Sequence, residues 1–146
     1  MKRILFTLLT TLLLSFSTIC FAEKWQEIGE QEDSVFYIDV DSVDRLNVSD
    51  LTVSPKKNGL MYTIKVVKTD DSPMFTKYRV RTIIMQFNTL NQIDGRNYRL
   101  TRSDYMDNNG RVLQTYGKTD FSPIQEGSLG EIADKHAKQI AISKDL

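Results

Sequence analysis

The sequence predicts an α+β domain, an antiparallel sheet of about six strands with a C-terminal helix packed on one face. Three observations predict it. Lys77 to Tyr116 contains three alternating segments rich in Val, Ile, Tyr and Phe, separated by polar reversals. The second reversal, Asp107-Asn108-Asn109-Gly110, ends in an Asn-Gly pair that supplies the positive φ of a tight hairpin, either as a two-residue turn or as a longer loop closing on a bulge at Gly110. One capped amphipathic segment follows from Ser128 and supplies the cover that the apolar face of such a meander needs.

In chain order, Lys24 to Gly29 reads as a first strand, stopped by Gly29 and the polar run Glu30 to Asp33. Ser34 to Val40 is the next, with Phe36, Ile38 and Val40 on one face and Tyr37 and Asp39 on the other. Asp41 to Arg45 reads as a single helical turn capped by Asp41. Asp39, Asp41 and Asp44 lack the central Gly and distal Glu of a calcium loop, so they favour the capping turn over a metal site. A short strand is expected at Leu51-Thr52-Val53 and a loop at Pro55 to Gly59; Asn47-Val48-Ser49 is a glycosylation sequon only on paper. Leu60 to Thr69 is a strand with Leu60, Tyr62, Ile64 and Val66 inward, ended by Asp70-Asp71-Ser72-Pro73.

For the central pair, Lys77 to Asn88 and Asn97 to Met106, joining Asn88 to Asn97 sets Met85 opposite Leu100, Phe87 opposite Tyr98 and Arg81 opposite Asp104. Tyr78, Val80 and Ile84 then fall near Tyr105. Both faces of Ile83 to Phe87 are apolar, which calls for cover on two sides or a bulge. Arg79, Arg81, Arg99 and Arg102 form a basic stripe that reads either as an anion site or as cross-strand ion pairing, Arg81 having Asp104 as its partner. Phe121 to Ile124 is extended and carries the chain across the fold. Ser128 and Glu131 have capping-box spacing, and Leu129, Ile132, Ala133, His136, Ala137, Ile140 and Ala141 form the apolar stripe of the final helix, with Ile142 to Leu146 expected to fray.

The N-terminus reads as an export signal. Lys2-Arg3 precedes an apolar run from Ile4 to Phe16, and Cys20-Phe21-Ala22 ends in the small residue that cleavage needs, so residues 1–22 are expected to leave and residues 23–146 to form one domain. The run is shorter than the roughly 20 residues that span a bilayer. Ile19 stands where lipoprotein processing needs a small residue, which argues against a lipid anchor on Cys20 and for a periplasmic or cell-surface product. Loss of Lys2 and Arg3 takes the basic count from 19 to 17 against 19 acidic residues, a net charge of −2 that implies no nucleic-acid partner. Cys20 is the single cysteine, so the processed domain enters an oxidising compartment without a disulfide.

The catalytic inventory is thin. One His and no remaining Cys exclude Cys-His nucleophiles and Cys-rich zinc sites, and His136 sits on the buried stripe of a helix, where a packed histidine is the ordinary case. Gly127-Ser128-Leu129-Gly130 lacks the Lys and the preceding strand of a phosphate loop. No enzyme and no cofactor is expected.

Trp25-x-x-Ile28-Gly29, Tyr37-Ile38-Asp39 with Ser42, Tyr105 and Gly110 in the hairpin, and Phe121-x-x-Ile124-x-x-Gly127-Ser128-x-Gly130-Glu131 together resemble the pattern of the surface-adhesin protein E family, small exported proteins of Gram-negative bacteria. The likeness runs over nearly all of residues 23–146. Members of that family usually tie a middle strand to the last helix through two cysteines; Met85-Gln86-Phe87-Asn88 and Gln139-Ile140-Ala141 occupy those regions here, and the named adhesin's lipid anchor is missing. The resemblance implies a non-enzymatic binding protein whose partner is a host matrix protein or an envelope component. The candidate binding residues are Lys56, Lys57, Arg79, Arg81, Arg99 and Arg102. The alternative is a periplasmic protein holding a small apolar or amphipathic ligand between sheet and helix, in envelope homeostasis.

Overall fold

The computed structural model describes residues 23–45, 59–69, 77–92 and 96–146. The expected signal segment 1–22 with Cys20, the Asn47 sequon, the strand at Leu51-Thr52-Val53, Lys56, Lys57 and the Asp70 to Pro73 loop lie outside the described residues. The described elements are β1 (Trp25–Gln31), β2 (Ser34–Asp39), β3 (Asp44–Arg45), β4 (Gly59–Thr69), β5 (Thr82–Gln92), β6 (Asn97–Met106), β7 (Val112–Tyr116), β8 (Ser122–Pro123) and α1 (Leu129–Ser143). The sheet is antiparallel in the order β1-β2-β4-β5-β6-β7, with β3 beside one end of β4 and β8 beside one end of β6. An α+β domain with one terminal helix on one face of a sheet is what the alternation and the final amphipathic stripe predict.

Period-two alternation builds the inner face. Leu60, Tyr62, Ile64 and Val66 of β4 are all buried, and they stand opposite Asn91, Thr89, Phe87 and Met85 of β5. Phe36 and Ile38 of β2 and Ile28 of β1 extend the same core, Ile28 through a register shift between Glu27 and Gly29 that carries β1 on to Gln31 rather than ending it at Gly29. The helix lays Ala133, Ala137, Ile140 and Ala141 on this face, with Leu129 and Ile132 packed at its edge. Its start obeys the capping rule. The Glu131 N–H donates to Ser128 Oγ at 3.3 Å, while the Glu131 carboxylate reaches back one residue further than a capping box requires, to the Gly127 N–H at 2.7 Å.

Several local expectations are corrected. The turn after β2 is a 3-10 turn over Val40–Ser42 capped by Asp39, whose Oδ1 accepts from the Asp41 N–H at 3.1 Å; Asp41 itself is not the cap. Ser42 fixes that turn by donating to the Asp39 carbonyl at 2.7 Å and accepting from the Thr63 N–H at 2.8 Å. Strand β5 runs to Gln92, so Gln92 and not Asn88 faces Asn97, and Phe87 faces Ser103. Polar residues are tolerated there because Asn91 Nδ2 donates to Asp134 Oδ1 of the helix at 2.7 Å. Between Asn88/Arg102 and Thr89/Leu100 the register shifts, leaving Thr101 as the extra residue of β6. The chain end does not fray: Lys144 Nζ donates to the Val43 carbonyl at 3.1 Å, the Leu146 N–H donates to the Ala141 carbonyl at 2.9 Å, and Leu146 packs on the core.

The β6–β7 hairpin takes the longer of the two forms. Gly110 has φ of 80° and its N–H donates to the Asp107 carbonyl at 3.0 Å. Asp107 Oδ1 also accepts from the Arg111 and Asn109 N–H groups, at 2.9 and 3.0 Å. The Arg111 N–H, followed by that of Asn109 and the Arg111 guanidinium, holds the Asp107 carboxyl below the usual carboxylate range.

Two outcomes follow from this packing. Ala137 is 0% exposed, so Ala137→Leu lowers stability by about 1–3 kcal/mol through overpacking, read by urea denaturation; an unchanged midpoint would contradict the close approach of helix and sheet. For Asp107 the folded pKa lies below the unfolded one, so its contribution is fully present above the unfolded value of about 3.9 and is lost as pH falls through the folded value. The stability gap between wild type and Asp107→Ala therefore stays constant from neutral pH to about pH 5 and narrows below about pH 4. A gap that widened on acidification would show that the carboxylate is not the hairpin's anchor.

Candidate functional site

Among the described residues, the four arginines of the basic stripe differ in exposure and pairing. Arg99 is 9% exposed, its guanidinium lies 4.6 Å from the ring centre of Phe121, and it stands opposite Leu90 on the face away from the helix. Arg102 is exposed but engaged, its Nε donating to Asp104 Oδ2 at 2.7 Å. Asp104 also accepts from Thr115 Oγ1 at 2.6 Å, and Gln86 rather than Arg81 is its cross-strand neighbour. Arg102, then Thr115, holds the Asp104 carboxyl below its ordinary range. Arg79 and Arg81 are exposed before β5 begins, Arg79 with φ of 54°, and Lys56 and Lys57 are outside the described residues. The Arg81–Asp104 pair expected from the shorter strand is thus replaced by Arg102–Asp104.

A different place gathers the features of a recognition site. A half-open cavity of about 150 Å³ lies between the inner face and the first turns of α1. Its floor is Tyr62, Ile64, Phe87 and Thr89, which adjacent strands bring together by the β4–β5 register. Tyr98 and Leu100 of β6 form one wall, and Leu129, Gly130 and Ala133 form the roof. The walls are apolar apart from single hydroxyls, and the volume matches one six-membered ring.

Two polar features mark this cavity. Thr89 is 5% exposed and its Oγ1, like Asn91 Oδ1 and Arg99 Nε, is shut off from solvent without a hydrogen-bond partner among the described residues. Beside it, burial and then the Asp134 carboxylate push the Tyr62 phenol well above its ordinary pKa, so Tyr62 stays protonated. Asp134 is held in place by Asn91 and by Lys138 Nζ at 2.7 Å.

An aromatic row leaves the cavity along the same face. Phe87, in the floor, meets Tyr105 edge-on at 6.4 Å and 84°, and Tyr105 meets Tyr116 at 5.2 Å and 62°. Tyr78 donates to Gln114 Oε1 close by. The row ends on β7, the last strand of the sheet, where Tyr116 is 43% and Val112 50% exposed. Sequence reasoning named a pocket between sheet and helix but not these residues; the one available signal was the run of inward aromatics, which is read only after the β5–β6 register is known.

Among the described residues, no three His, Cys, Asp or Glu side chains gather where they would hold a metal ion, and no helix is long and apolar enough to cross a membrane. His136 is half-buried on α1. Compared with protein-family models, with curated proteins and with solved structures, the chain matches none.

Thr89→Val, which keeps shape and removes the unpaired hydroxyl, leaves stability unchanged or raises it by up to about 1 kcal/mol in urea denaturation. A loss greater than about 1 kcal/mol would show that the hydroxyl has a partner in the unliganded protein.

Proposed function

We propose that this is an exported, non-enzymatic protein-binding module of the cell envelope, of the kind that surface-adhesin protein E resemblance implies, and that it takes its partner on the cavity and along the aromatic row to β7. The observation that carries this reading is the continuity of a half-open apolar cavity with Phe87, Tyr105 and Tyr116, a row that ends on β7, the edge strand among the described residues. Such a surface combines an anchor pocket with main-chain groups that a partner strand pairs with. Arg99 is buried and Arg102 is paired, which leaves Arg79 and Arg81 as the exposed cations of the stripe among the described residues.

The size of the cavity supports a second reading, a periplasmic protein holding one small ligand between sheet and helix. The two differ in what they expose. Protease shaving of intact cells degrades a surface module and spares a periplasmic one until the outer membrane is opened. Purified protein that binds a matrix or envelope protein does so with little loss between about 0.1 M and about 1 M salt, because the contact is apolar. Val112→Lys on β7 abolishes that binding, whereas Arg102→Ala does not. Binding that vanished at high salt and with Arg102→Ala would return the site to the basic surface.

A further inference from the structure

We propose that the sheet face turned away from α1 packs on the same face of a second copy of this chain, about a two-fold axis that runs along the strands between β4 and β5. The proposal goes beyond the protein-binding reading and does not depend on it, because this face lies across the sheet from the cavity and the aromatic row.

Directly paired residues share a face, so the strand registers read this surface row by row. One row is apolar over five strands, Val35, Val67, Ile84, Met106 and Val112, with Glu30 of β1 at its end. Tyr37, Lys65, Gln86, Asp104 and Thr115 form the next, with Glu27 at the β1 end. Thr63, Asn88 and Arg102 form a third, and Asp39, two residues on from Tyr37, brings β2 to its level. Val35, Val67, Ile84 and Met106 are half-buried and Val112 is 50% exposed, so an apolar band crosses the sheet where α1 does not cover it.

Charge selects a second copy and its orientation. In the strand order, the axis sets β1 against β7, β2 against β6 and β4 against β5 of the second copy, so each row meets its own reverse. Val67 then meets Ile84 and Val35 meets Met106. Asp39 meets Arg102, Tyr37 meets Asp104, and Lys65 meets Gln86. Glu30 meets Val112 beside Arg111, whose side chain is 71% exposed. Within the three rows no like charges stand opposite each other, and one acid stands opposite one base. An axis across the strands instead stacks a row on itself, which sets Glu30 on Glu30, Lys65 on Lys65 or Arg102 on Arg102. Six strands at roughly 4.8 Å spacing and three rows at roughly 7 Å spacing make a patch about 24 Å by about 20 Å. That extent lies toward the small end of specific interfaces and implies a Kd on the order of 10–100 μM. The resulting sandwich carries a helix on each outer side, so both cavities stay open and face opposite ways.

Sedimentation of the protein purified after export, from about 1 μM to about 500 μM, tests this. A monomer–dimer equilibrium is expected. Val67→Asp and Ile84→Lys each weaken it at least about tenfold, because each sets a charge against an apolar side chain twice across the axis. An equal mixture of the two variants restores it, since the introduced acid meets the introduced lysine once and the native Val67–Ile84 contact forms once. Far-UV circular dichroism checks that the variants fold. Should either unfold, Arg102→Glu, at an exposed side chain, sets a like charge on Asp39 and weakens the dimer at least about fivefold. A monomer throughout the range overturns the proposal, as does a dimer that these substitutions leave intact. Two folded, monomeric variants that stay monomeric when mixed overturn it as well, because only reversed rows bring position 67 onto position 84.

Discussion

The structure depends on how closely one helix approaches one face of the sheet. With its single cysteine at position 20, the described domain has no disulfide to limit its unfolded state, so burial must supply the stability. The contact stripe of α1 is mostly alanine, Ala133, Ala137 and Ala141, with Ile140 the one large buried side chain among them. Small residues bring the helix backbone near the strands, and the bulk of the core is then contributed from below by Phe36, Ile38, Leu60, Tyr62 and Ile64. That division explains why the final helix carries so little hydrophobic volume and still covers the core.

The same contact sets where the sheet is left open. The helix begins over β6, where Gly130 lies near Tyr98, passes β5 at the Asn91–Asp134 hydrogen bond and ends near Val43, to whose carbonyl Lys144 donates. Fifteen residues of helix are roughly 22 Å long, about the width of the six paired strands at roughly 4.8 Å spacing. A helix about 10 Å wide laid across strands of eleven residues, roughly 36 Å long, cannot cover their whole length. The cavity opens at its flank and the aromatic row lies beyond it. Both are consequences of covering a long-stranded sheet with one crossing helix.

Much of the fold was legible because local chemistry and burial agree. Leu60 to Thr69 alternates cleanly, Ser128 caps where Ser-x-x-Glu predicts, and Asn109-Gly110 turns where it should. The end of β5 was not legible. Asn88, Asn91 and Gln92 read as reversal residues, and what admits Asn91 to a buried strand position is Asp134, 43 residues away. The resulting error in register, four residues at the β5–β6 connection and five beyond the shift at Thr101, moved every cross-strand neighbour, which is why Arg81 was set against Asp104. The placement of the arginines depends on the same register. A strict period of two sets Arg99 and Arg102 on opposite faces, and the register shift at Thr101 brings them to one, opposite Leu90 and Asn88, where Phe121 covers Arg99. The cavity inherits all of this, since its floor and wall exist only once Tyr62, Thr89 and Leu100 are in their actual register.

Gly130 shows how fold and site divide the demands on one residue. Gly130 is the second residue of α1, and neither backbone nor space requires glycine there: among the described glycines positive φ belongs to Gly110 and Gly127, and the contacts a Cβ would make at Gly130 are of ordinary van der Waals length. The hairpin glycine serves the fold, because Gly110 must adopt a left-handed conformation for Asp107 to collect the N–H groups of Asn109 and Arg111. Gly130 has no such structural duty, and its missing methyl keeps the space between Leu129 and Tyr98 open above Thr89. A Cβ there meets Ser128 Oγ and the Tyr98 ring, so alanine at this position narrows the cavity from its roof.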